Sequence, residues 1–561
     1  MAFKFELTAA PLLTASLSFS AVLLLYFGFL WLAILRRNRA LRHCPQARGR
    51  FPPLLGAEAA IHTHPDGPHI LEIIWMRRLQ ANVLTYPSLL GSHMLFIADP
   101  LAAAAASALP MTELESRIAR MFLGDGIVTS TPASATHRYM RKALAAPFSS
   151  AAIASLSPIF VRHAQATVDA IQERLKSARS SLLPLLIDIV PMLNAAAFDI
   201  LADAGLGYES GCVESLRAQW NDDTSKCKDA LAAAFDSTNA VFAGQHPIAH
   251  VLLTLLGYLI PPLSSSSIFA RNRAIKTNRK RMEKLGLKMI EDRQSSSDEE
   301  LVASGHIDIV SRLLFAAGRR LGIAAKSDKE VLVAQINAFL FAGHETTAST
   351  LSWLILSLTR HQAFQIRLAR NIEHLHLDQA ASDPLIEATV KEVLRLYPAS
   401  RVLRRVADSE VILPLSEPLR GNQNGEDGKN PGDPRKLVVP KEQNIVIGLA
   451  AMNRIKSIWG EDADEFNPYR FFALPDAHEL ARLPYDLASF GFGPKTCLGA
   501  RFALMELKIL TAALVQNFHF SPVPHVKIVC RQGLFFRPVV QGEEHMGPQL
   551  PVLITPREHV A

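Results

Sequence analysis

A single cysteine closes a glycine-rich stretch directly before an amphipathic segment, in the sequence SFGFGPKTCLGARFALMELKI from Ser489 to Ile509. This stretch constrains the fold strongly, because a tight turn needs glycine and a helix must begin directly behind it. The helix dipole and the free backbone N–H groups at such a helix start favour a thiolate, so we expect a lowered pKa for the Cys497 thiol. The glycines of the turn let the backbone approach a flat ligand closely. Apolar residues recur after the cysteine at helical spacing: Leu498, Phe502, Met505 and Ile509.

The remaining cysteines exclude two familiar uses of sulfur. The chain has five cysteines, an odd number, and no C-x-x-C pair. Neither a disulfide framework nor a zinc site is expected from this pattern, and a reducing compartment fits it best. A phosphate-binding loop is excluded as well, because GPKT lacks the G-x-x-x-x-G-K-[ST] spacing.

The N-terminus predicts a membrane anchor. No charged residue occurs from Leu7 to Leu35, and about 20 apolar residues suffice to cross the bilayer as a helix. Arginines follow at positions 36, 37, 39 and 42, and the positive-inside rule places them in the cytosol. No A-x-A-like cleavage site follows the run, which argues against a cleaved signal peptide. We expect an anchor segment at residues 1–35, a basic Pro/Gly linker at 36–56 and one large domain at 57–561.

The large domain is predicted to be mainly α with a small β region. Helical periodicity is clearest at Met111–Leu123, Ala151–Lys176 and Lys276–Arg293. Residues 414–436 are rich in Gly, Pro, Asn and charge, which predicts a solvated insertion between two short strands. The net charge of +7 comes without a long Lys/Arg block. No nucleic-acid partner is therefore expected, and a membrane surface or an acidic protein fits the charge better.

Polar residues interrupt a long apolar segment, AFLFAGHETTASTLSWLILSL, from Ala338 to Leu358. Glu345 and Thr346 lie at its centre, where a buried acid costs free energy unless protons or water are needed there. An exposed polar patch is the simpler explanation. Three further motifs are weak evidence for a functional site when each is taken alone. They are Glu392 with Arg395 three residues later, Arg470 in FNPYRF, and His137 with Arg141 one helical turn apart.

Together, in this order and spacing, these motifs resemble the cytochrome P450 family of haem-thiolate monooxygenases. The family's loop F-x-x-G-x-R-x-C-x-G matches Phe490 to Gly499, [AG]-G-x-[DE]-T-T matches Ala342 to Thr347, and E-x-x-R matches Glu392 and Arg395. The resemblance covers the chain from about residue 50 to its end. It implies a cytochrome P450 fold, a helical haem domain here preceded by one N-terminal transmembrane helix. Two departures concern the propionate contacts, since Lys495 replaces the usual Arg and His137 replaces the usual Trp.

The resemblance also assigns roles. It implies haem b (iron protoporphyrin IX) with Cys497 as the axial ligand of the iron, a thiolate whose electron donation favours O–O cleavage. Phe490 and Gly499 would pack around the ligand loop. Glu345 and Thr346 would relay protons, and Ala342 and Gly343 would leave room for dioxygen. Glu392, Arg395 and Arg470 would be structural. The expected contacts of the haem propionates are His137, Arg141, Arg405 and Lys495.

The reaction implied is insertion of one oxygen atom from O2 into a lipophilic substrate, with electrons from NADPH. The chain carries no flavin or nicotinamide motif, so the expected donor is NADPH-cytochrome P450 reductase, with cytochrome b5 as a second candidate. The expected location is the endoplasmic reticulum membrane, single-pass, with the catalytic domain in the cytosol. The wording of the motifs is most similar to fungal enzymes of secondary metabolism or fatty-acid hydroxylation.

Three alternatives stay open on the residues. A haem-thiolate isomerase, dehydratase or peroxygenase would keep the fold without the proton relay, and the intact Glu345–Thr346 pair argues against it. A haem-binding membrane protein without turnover is opposed by the same pair. A purely structural membrane protein would require every motif to be coincidence. His62, His64 and His69 suggest a metal site, but a polar loop near the membrane is the simpler explanation.

Overall fold

The computed structural model describes residues 25–26, 28–177, 184–220, 247–260, 265–295, 309, 326–419, 434–473, 487–532 and 535–557. All structural statements below concern these residues. Most of the predicted anchor at 1–35 and most of the predicted insertion at 414–436 lie outside them. Cys227 does so too.

Helices make up most of the described chain. The longest, α12, carries the AGHETT motif, and α18 follows the cysteine loop. In chain order the helices are α1 (Glu58–Thr63), α2 (Ile70–Leu79), α3 (Pro100–Ala106), α4 (Glu113–Leu123), α5 (Ala135–Ala145), α6 (Ser150–Ala154), α7 (Ser157–Ser177), α8 (Val190–Leu206), α9 (Cys212–Trp220), α10 (Pro247–Leu259), α11 (Ala270–Ser295), α12 (Lys326–Arg360), α13 (Gln362–Ile372), α14 (Leu377–Ala381), α15 (Pro384–Leu396), α16 (Leu449–Met452), α17 (Lys456–Trp459) and α18 (Ala500–Asn517).

The strands form small sheets, as the mainly α prediction requires. One sheet has the order β1-β2-β7-β4, with β2 and β7 parallel and the other pairs antiparallel; a second has the order β3-β11-β8; and β5–β6 and β9–β10 are antiparallel pairs. The strands are β1 (Val83–Pro87), β2 (His93–Ile97), β3 (Leu185–Asp188), β4 (Val402–Val406), β5 (Val411–Pro414), β6 (Lys436–Val439), β7 (Asn444–Gly448), β8 (Phe518–Pro522), β9 (Ile528–Gln532), β10 (Phe536–Val540) and β11 (Pro551–Pro556).

The central packing is that of α12 on α8, and it depends on glycine. A Cβ added to Gly343 would meet Leu201 Cδ1 at 2.6 Å, and one added to Gly205 would collide with the Phe339 ring. The two helices can approach this closely only because these positions carry no side chain. Gly343 thus has a packing role against Leu201, and the expectation that it leaves room for dioxygen stays a prediction.

The end of the N-terminal segment is hydrogen-bonded to the large domain. Residues 28–40 are helical. Asn38 Nδ2 donates to the Gly91 carbonyl at 2.8 Å, and the His93 amide donates to Asn38 Oδ1 at 2.9 Å. By length and hydropathy, none of the individual helices in the described ranges could cross a membrane, although the bent pair α5 and α6–α7 meets both criteria.

Candidate active site

The cysteine loop has the tight turn that the sequence predicts. Gly491 and Gly493 both have φ of +65°, a backbone conformation that favours glycine. The Cys497 amide donates to the Phe490 carbonyl at 2.7 Å and closes the loop. Helix α18 then begins at Ala500, with Gly499 as its N-cap. The loop therefore fixes the cysteine directly before a helix start.

The Cys497 thiol is exposed although protein crowds around it. Cys44, Cys212 and Cys530, the other cysteines that the structure describes, are buried. Burial raises the pKa of the Cys497 thiol, although the Gly499 N–H and the positive charge of Arg141 oppose this. The expected lowering of the thiol pKa is therefore wrong for the protein alone, because desolvation outweighs the helix terminus. An exposed thiol in crowded surroundings is what the wall of an internal cavity provides.

Positive charge gathers around this thiol. The charges of Lys495 and Arg141 lower the pKa of His137, and those of Arg405 and Arg141 lower the pKa of Lys495. In both cases burial is the larger cause, and the resulting pKa is about 4 for His137 and about 8 for Lys495. The structure thus brings together the four residues proposed for the propionates. His137, however, is neutral near pH 7 and not half of a cationic pair, because burial opposes its charge.

The cationic side chains of this cluster already donate hydrogen bonds to backbone carbonyls, and they differ in how many they make. Arg141 donates to the Thr496 carbonyl at 2.6 Å, while Arg405 donates to the carbonyls of Ser107 and Arg404. Lys495 Nζ contacts three carbonyls, those of Ile127, Val128 and Ser130, at 2.8, 3.1 and 2.6 Å. Lys495 must therefore exchange one of these contacts before it can bind any anion.

Helix α12 is partly accessible around the AGHETT motif. Ala342 is exposed, and Gly343 and Thr346 are half-buried, whereas His344, Glu345 and Thr347 are buried. Thr346 Oγ1 donates to the Ala342 carbonyl at 2.6 Å. The Thr346 oxygen keeps lone pairs that can accept a hydrogen bond from water.

Glu345 forms an ion pair that the sequence analysis did not predict. Its Oε1 lies 2.5 Å from Arg537 Nη2, and the two side chains are 3% and 11% exposed. Glu345 is therefore paired with strand β10 in this structure, even though it neighbours Thr346 in sequence. An arginine within the apolar run FFRPVV was the available signal.

A second buried acid was also missed. Glu506 on α18 is fully buried, and Thr347 Oγ1 donates to its Oε2 at 3.0 Å. Burial raises the pKa of Glu506 well above its usual range, and the Thr347 hydrogen bond offsets only part of this shift. Burial therefore favours the neutral form of the Glu506 carboxyl. The signal was an acid between Phe502 and Ile509 on the apolar face of the helix.

The raised pKa of Glu506 predicts a pH-dependent stability. Above the pKa of the unfolded chain, only the unfolded state loses the proton, so stability falls as pH rises toward the folded pKa. Glu506→Gln removes this loss. We expect Glu506→Gln to gain stability relative to wild type between pH 5 and 8, by about 1.4 kcal/mol for each pH unit in which only the unfolded carboxyl is ionised. Urea unfolding at three pH values measures it.

The matched control is Glu461→Gln, which neutralises an acid that is 88% exposed. This variant should keep a constant stability difference from wild type over the same pH range. A constant difference for Glu506→Gln as well would show that its carboxyl titrates normally in the fold.

The Glu392–Arg395 pair lies in the protein interior. Both side chains are 0% exposed, and Arg395 donates to the two carboxylate oxygens at 2.7 and 2.8 Å. Arg470 Nε reaches the same carboxylate at 3.1 Å. Arg395 also donates to the carbonyls of Asn453, Ala463 and Glu465. The three residues therefore fasten α15 to the segment before the cysteine loop.

The comparisons with known proteins agree with this geometry. The family model described as cytochrome P450 matches residues 101–414 and 429–540. The chain belongs to the cytochrome P450 family. The interruption of the match, at residues 415–428, falls within the segment predicted to be an insertion.

Three fungal proteins are among its curated relatives. Cytochrome P450 monooxygenase 205 of Postia placenta is 30% identical over 77% of this chain and 78% of its own. Cytochrome P450 monooxygenase claP of Ampulloclitocybe clavipes is 27% identical over 95% and 97%. Ganoderic acid synthetase CYP5150L8 of Ganoderma lucidum is 29% identical over 72% and 73%. The chain is thus a P450 monooxygenase, an oxidoreductase.

The residues present fit the haem that the P450 family implies. The ring nitrogen Nε2 of His137 is buried and has no hydrogen-bond partner. It belongs to a cluster that also contains Arg141, Lys495 and Arg405, whose charges repel one another. Such a cluster is stabilised by an anion, and the two propionates of a bound haem would supply two negative charges to it.

The three N-terminal histidines do not form a polar loop. His62 and His69 are 6% and 3% exposed, and His69 Nδ1 lies 2.8 Å from Glu72 Oε1 in the buried region between α1 and α2. No group of three or more His, Cys, Asp or Glu side chains in the described ranges could hold a metal ion. The polar-loop prediction is wrong for His62 and His69, because His62 on α1 and His69 before α2 are buried in the interior.

Proposed function

We propose that this P450 inserts one atom of O2 into a C–H bond or alkene of a lipophilic substrate, using electrons that a separate flavoprotein reductase takes from NADPH. The observation that carries the proposal is the exposed Cys497 thiol within its cationic cluster. The exposed Ala342 and half-buried Thr346 on α12 add the features that oxygen chemistry needs. The chain has no cofactor motif for NADPH or flavin, which supports an external donor.

The residues divide the work around the cofactor. Haem b, when bound, supplies the redox chemistry that activates O2. Cys497 would hold the iron as a thiolate, and the Gly499 N–H and Arg141 stabilise the negative charge on its sulfur. His137, Arg141, Arg405 and Lys495 would hold the propionates, as the charge of their cluster requires.

Proton delivery falls to the centre of α12. Thr346 Oγ1 already donates its own proton to the Ala342 carbonyl. Its lone pairs can hold a water, and that water can pass a proton onward without moving the helix. Glu345 is the adjacent carboxylate that would replenish this proton from the protein side.

An apolar pocket supports the proposal of a lipophilic substrate. A pocket of about 220 Å³ between α4, α10 and α11 has a mostly apolar lining. Its lining includes neither Cys497 nor Thr346, so it would serve binding or entry and not the reaction itself. The lining residues are Leu114, Ile118, Ala249, Leu253, Thr254, Leu256, Phe269, Ala270, Arg271 and Asn272.

A single-pass anchor in the endoplasmic reticulum membrane, with the haem domain in the cytosol, completes the proposal. The uncharged run Leu7–Leu35 and the arginines behind it support the orientation. Leu25 and Phe29 are 74% and 75% exposed, as lipid-facing side chains would be. The contacts of Asn38 with β2 would then hold the domain at the membrane surface.

An optical titration of the full-length protein tests the reaction class and the substrate class. The haem Soret band is followed while fatty acids, terpenoids and polyketide precursors are added. A thiolate-type spectrum that shifts from low to high spin with one class supports the proposal and identifies that class. Folded protein that binds no haem would refute it, as would product formation that needs no reductase.

Thr346→Ala is expected to uncouple NADPH oxidation from product formation. Without the hydroxyl, the water that would deliver the proton for O–O cleavage loses its anchor. Oxygen reduced by two electrons would then take two protons from solvent and leave as hydrogen peroxide, so peroxide per NADPH should rise several-fold. Thr350→Ala is the matched control, because Thr350 Oγ1 bonds the Thr346 carbonyl at 2.8 Å but is buried. Equal peroxide yields from the two variants would remove Thr346 from the relay.

A further inference from the structure

The strand β10 is fastened to one face of α12 by side chains at a four-residue spacing. Ser349 Oγ and Trp353 Nε1 both donate to the Phe536 carbonyl, at 2.7 and 3.0 Å. One turn before Ser349, Glu345 pairs with Arg537. Positions four apart lie above one another on a helix, so these contacts form one continuous stripe.

Four residues before Glu345, Phe341 begins this stripe of α12, and it makes an aromatic contact. The rings of Phe341 and Phe535 have centroids 5.4 Å apart, and Phe341 also contacts Phe122 on α4 at 4.6 Å. Side chains two apart in an extended segment share a face, so Phe535 and Arg537 both point to α12. Phe536 points the other way, where its ring meets His69 at 6.0 Å.

The β9–β10 hairpin therefore touches α12 at two functionally different points. Phe535 contacts an aromatic cluster between α4 and α12, next to the accessible Ala342. Arg537, two residues on, holds the carboxylate next to Thr346.

We propose that Arg537 is the positioning residue for Glu345, and that through it the β9–β10 hairpin sets where the Glu345 carboxylate lies beside the Thr346 relay. The inference rests on the proposed function, since only a proton relay gives this carboxylate a task beyond packing. The contact with Arg537 fixes the direction in which the carboxylate points. Without this contact the carboxylate would be misplaced for proton delivery.

The competing explanation is that the Glu345–Arg537 pair only holds β10 against α12. Ser349 offers the matched control. Ser349→Ala removes a hydrogen bond between the same strand and the same helix, and it leaves Glu345 and Arg537 intact. Arg537→Gln removes the guanidinium charge and keeps a polar side chain. Arg537→Lys keeps the charge and serves as the conservative variant.

The first measurement is thermal unfolding of the haem-loaded full-length protein. Arg537→Gln removes the guanidinium that pairs with the buried Glu345 carboxylate, which we expect to be destabilising. The double variant Glu345→Gln/Arg537→Gln removes that carboxylate, so we expect it to unfold at a higher temperature than Arg537→Gln alone. Strictly additive changes in the unfolding temperature would show that the two side chains are not coupled, and would overturn the proposal.

The second measurement is hydrogen peroxide released per NADPH, with the reductase and dodecanoic acid as the probe, in H2O and in D2O. We expect Arg537→Gln to raise the peroxide ratio several-fold and to change its solvent isotope effect. Arg537→Lys should restore part of the wild-type ratio, and Ser349→Ala should keep all of it. A wild-type ratio and isotope effect in Arg537→Gln would overturn the positioning role.

Glu345→Gln separates this inference from the proposed function. If Glu345→Gln raises the peroxide ratio while Arg537→Gln does not, the relay stands and the positioning role fails. If Glu345→Gln leaves the ratio at the wild-type value, Glu345 is not part of the relay, and both statements fail. A change of similar size in both variants, with Ser349→Ala unchanged, supports both.

Discussion

Replacing Cys497 with alanine is expected to abolish the thiolate-type spectrum of the haem-loaded protein and to reduce turnover to background, while the fold persists. The thiol is exposed, so its removal leaves no buried cavity. We expect the stability of the haem-free protein to change by no more than about 1 kcal/mol. The spectral loss is complete because sulfur donation is the property that distinguishes a thiolate ligand from water or imidazole.

The measurement combines absorption of the reduced carbon monoxide complex with circular dichroism of the same sample. Cys212→Ala is the control, since it removes a buried thiol at the start of α9 and should keep the wild-type spectrum. Cys497→Ala with an unchanged thiolate spectrum would mean that another residue binds the iron. The site would then have to be sought elsewhere in the chain.

Helical periodicity located the elements well where one face is apolar. The segment predicted from Met111 to Leu123 forms α4 (Glu113–Leu123), and that predicted from Lys276 to Arg293 lies within α11 (Ala270–Ser295). The segment from Ala151 to Lys176 divides into α6 and α7 instead. Pro158 has no N–H to donate to the Ala154 carbonyl, so a continuous helix would lose a hydrogen bond there.

The site was predictable only where a motif carries it. The positions of Cys497 and Thr346 follow from local sequence, and both residues have the accessibility that their proposed roles need. The partners Arg537 and Thr347–Glu506 join segments more than 150 residues apart, and no local pattern encodes such pairings. The prediction of a lowered pKa for the Cys497 thiol was wrong for a related reason. Burial by distant segments raises this pKa more than the helix terminus lowers it.

Replacing Arg395 with methionine is expected to destabilise the protein by about 3–5 kcal/mol, the usual cost of removing one partner from a buried ion pair. Methionine fills much of the volume but supplies none of the donors. The Glu392 carboxylate would keep Arg470 but lose both of its bonds to Arg395. Three backbone carbonyls would lose a donor as well.

A loss of this size is a large fraction of the roughly 5–15 kcal/mol by which domains are stable, so little Arg395→Met protein should fold and retain haem. Arg395→Lys tests the reason, since it keeps the charge but cannot reach the carboxylate and the carbonyls at once. We expect an intermediate loss for it. Both are measured by urea unfolding and by the fraction of purified protein that carries haem.

Arg117→Met is the matched control, because it breaks an ion pair of the same type on the surface. Its partner Glu113 is 77% exposed, and such pairs contribute at most about 1 kcal/mol. The contrast separates burial from charge pairing as the cause of stability. If Arg395→Met were as stable as Arg117→Met, the buried network would hold no part of the fold, and the segment before the cysteine loop would have to be fixed by its apolar contacts alone.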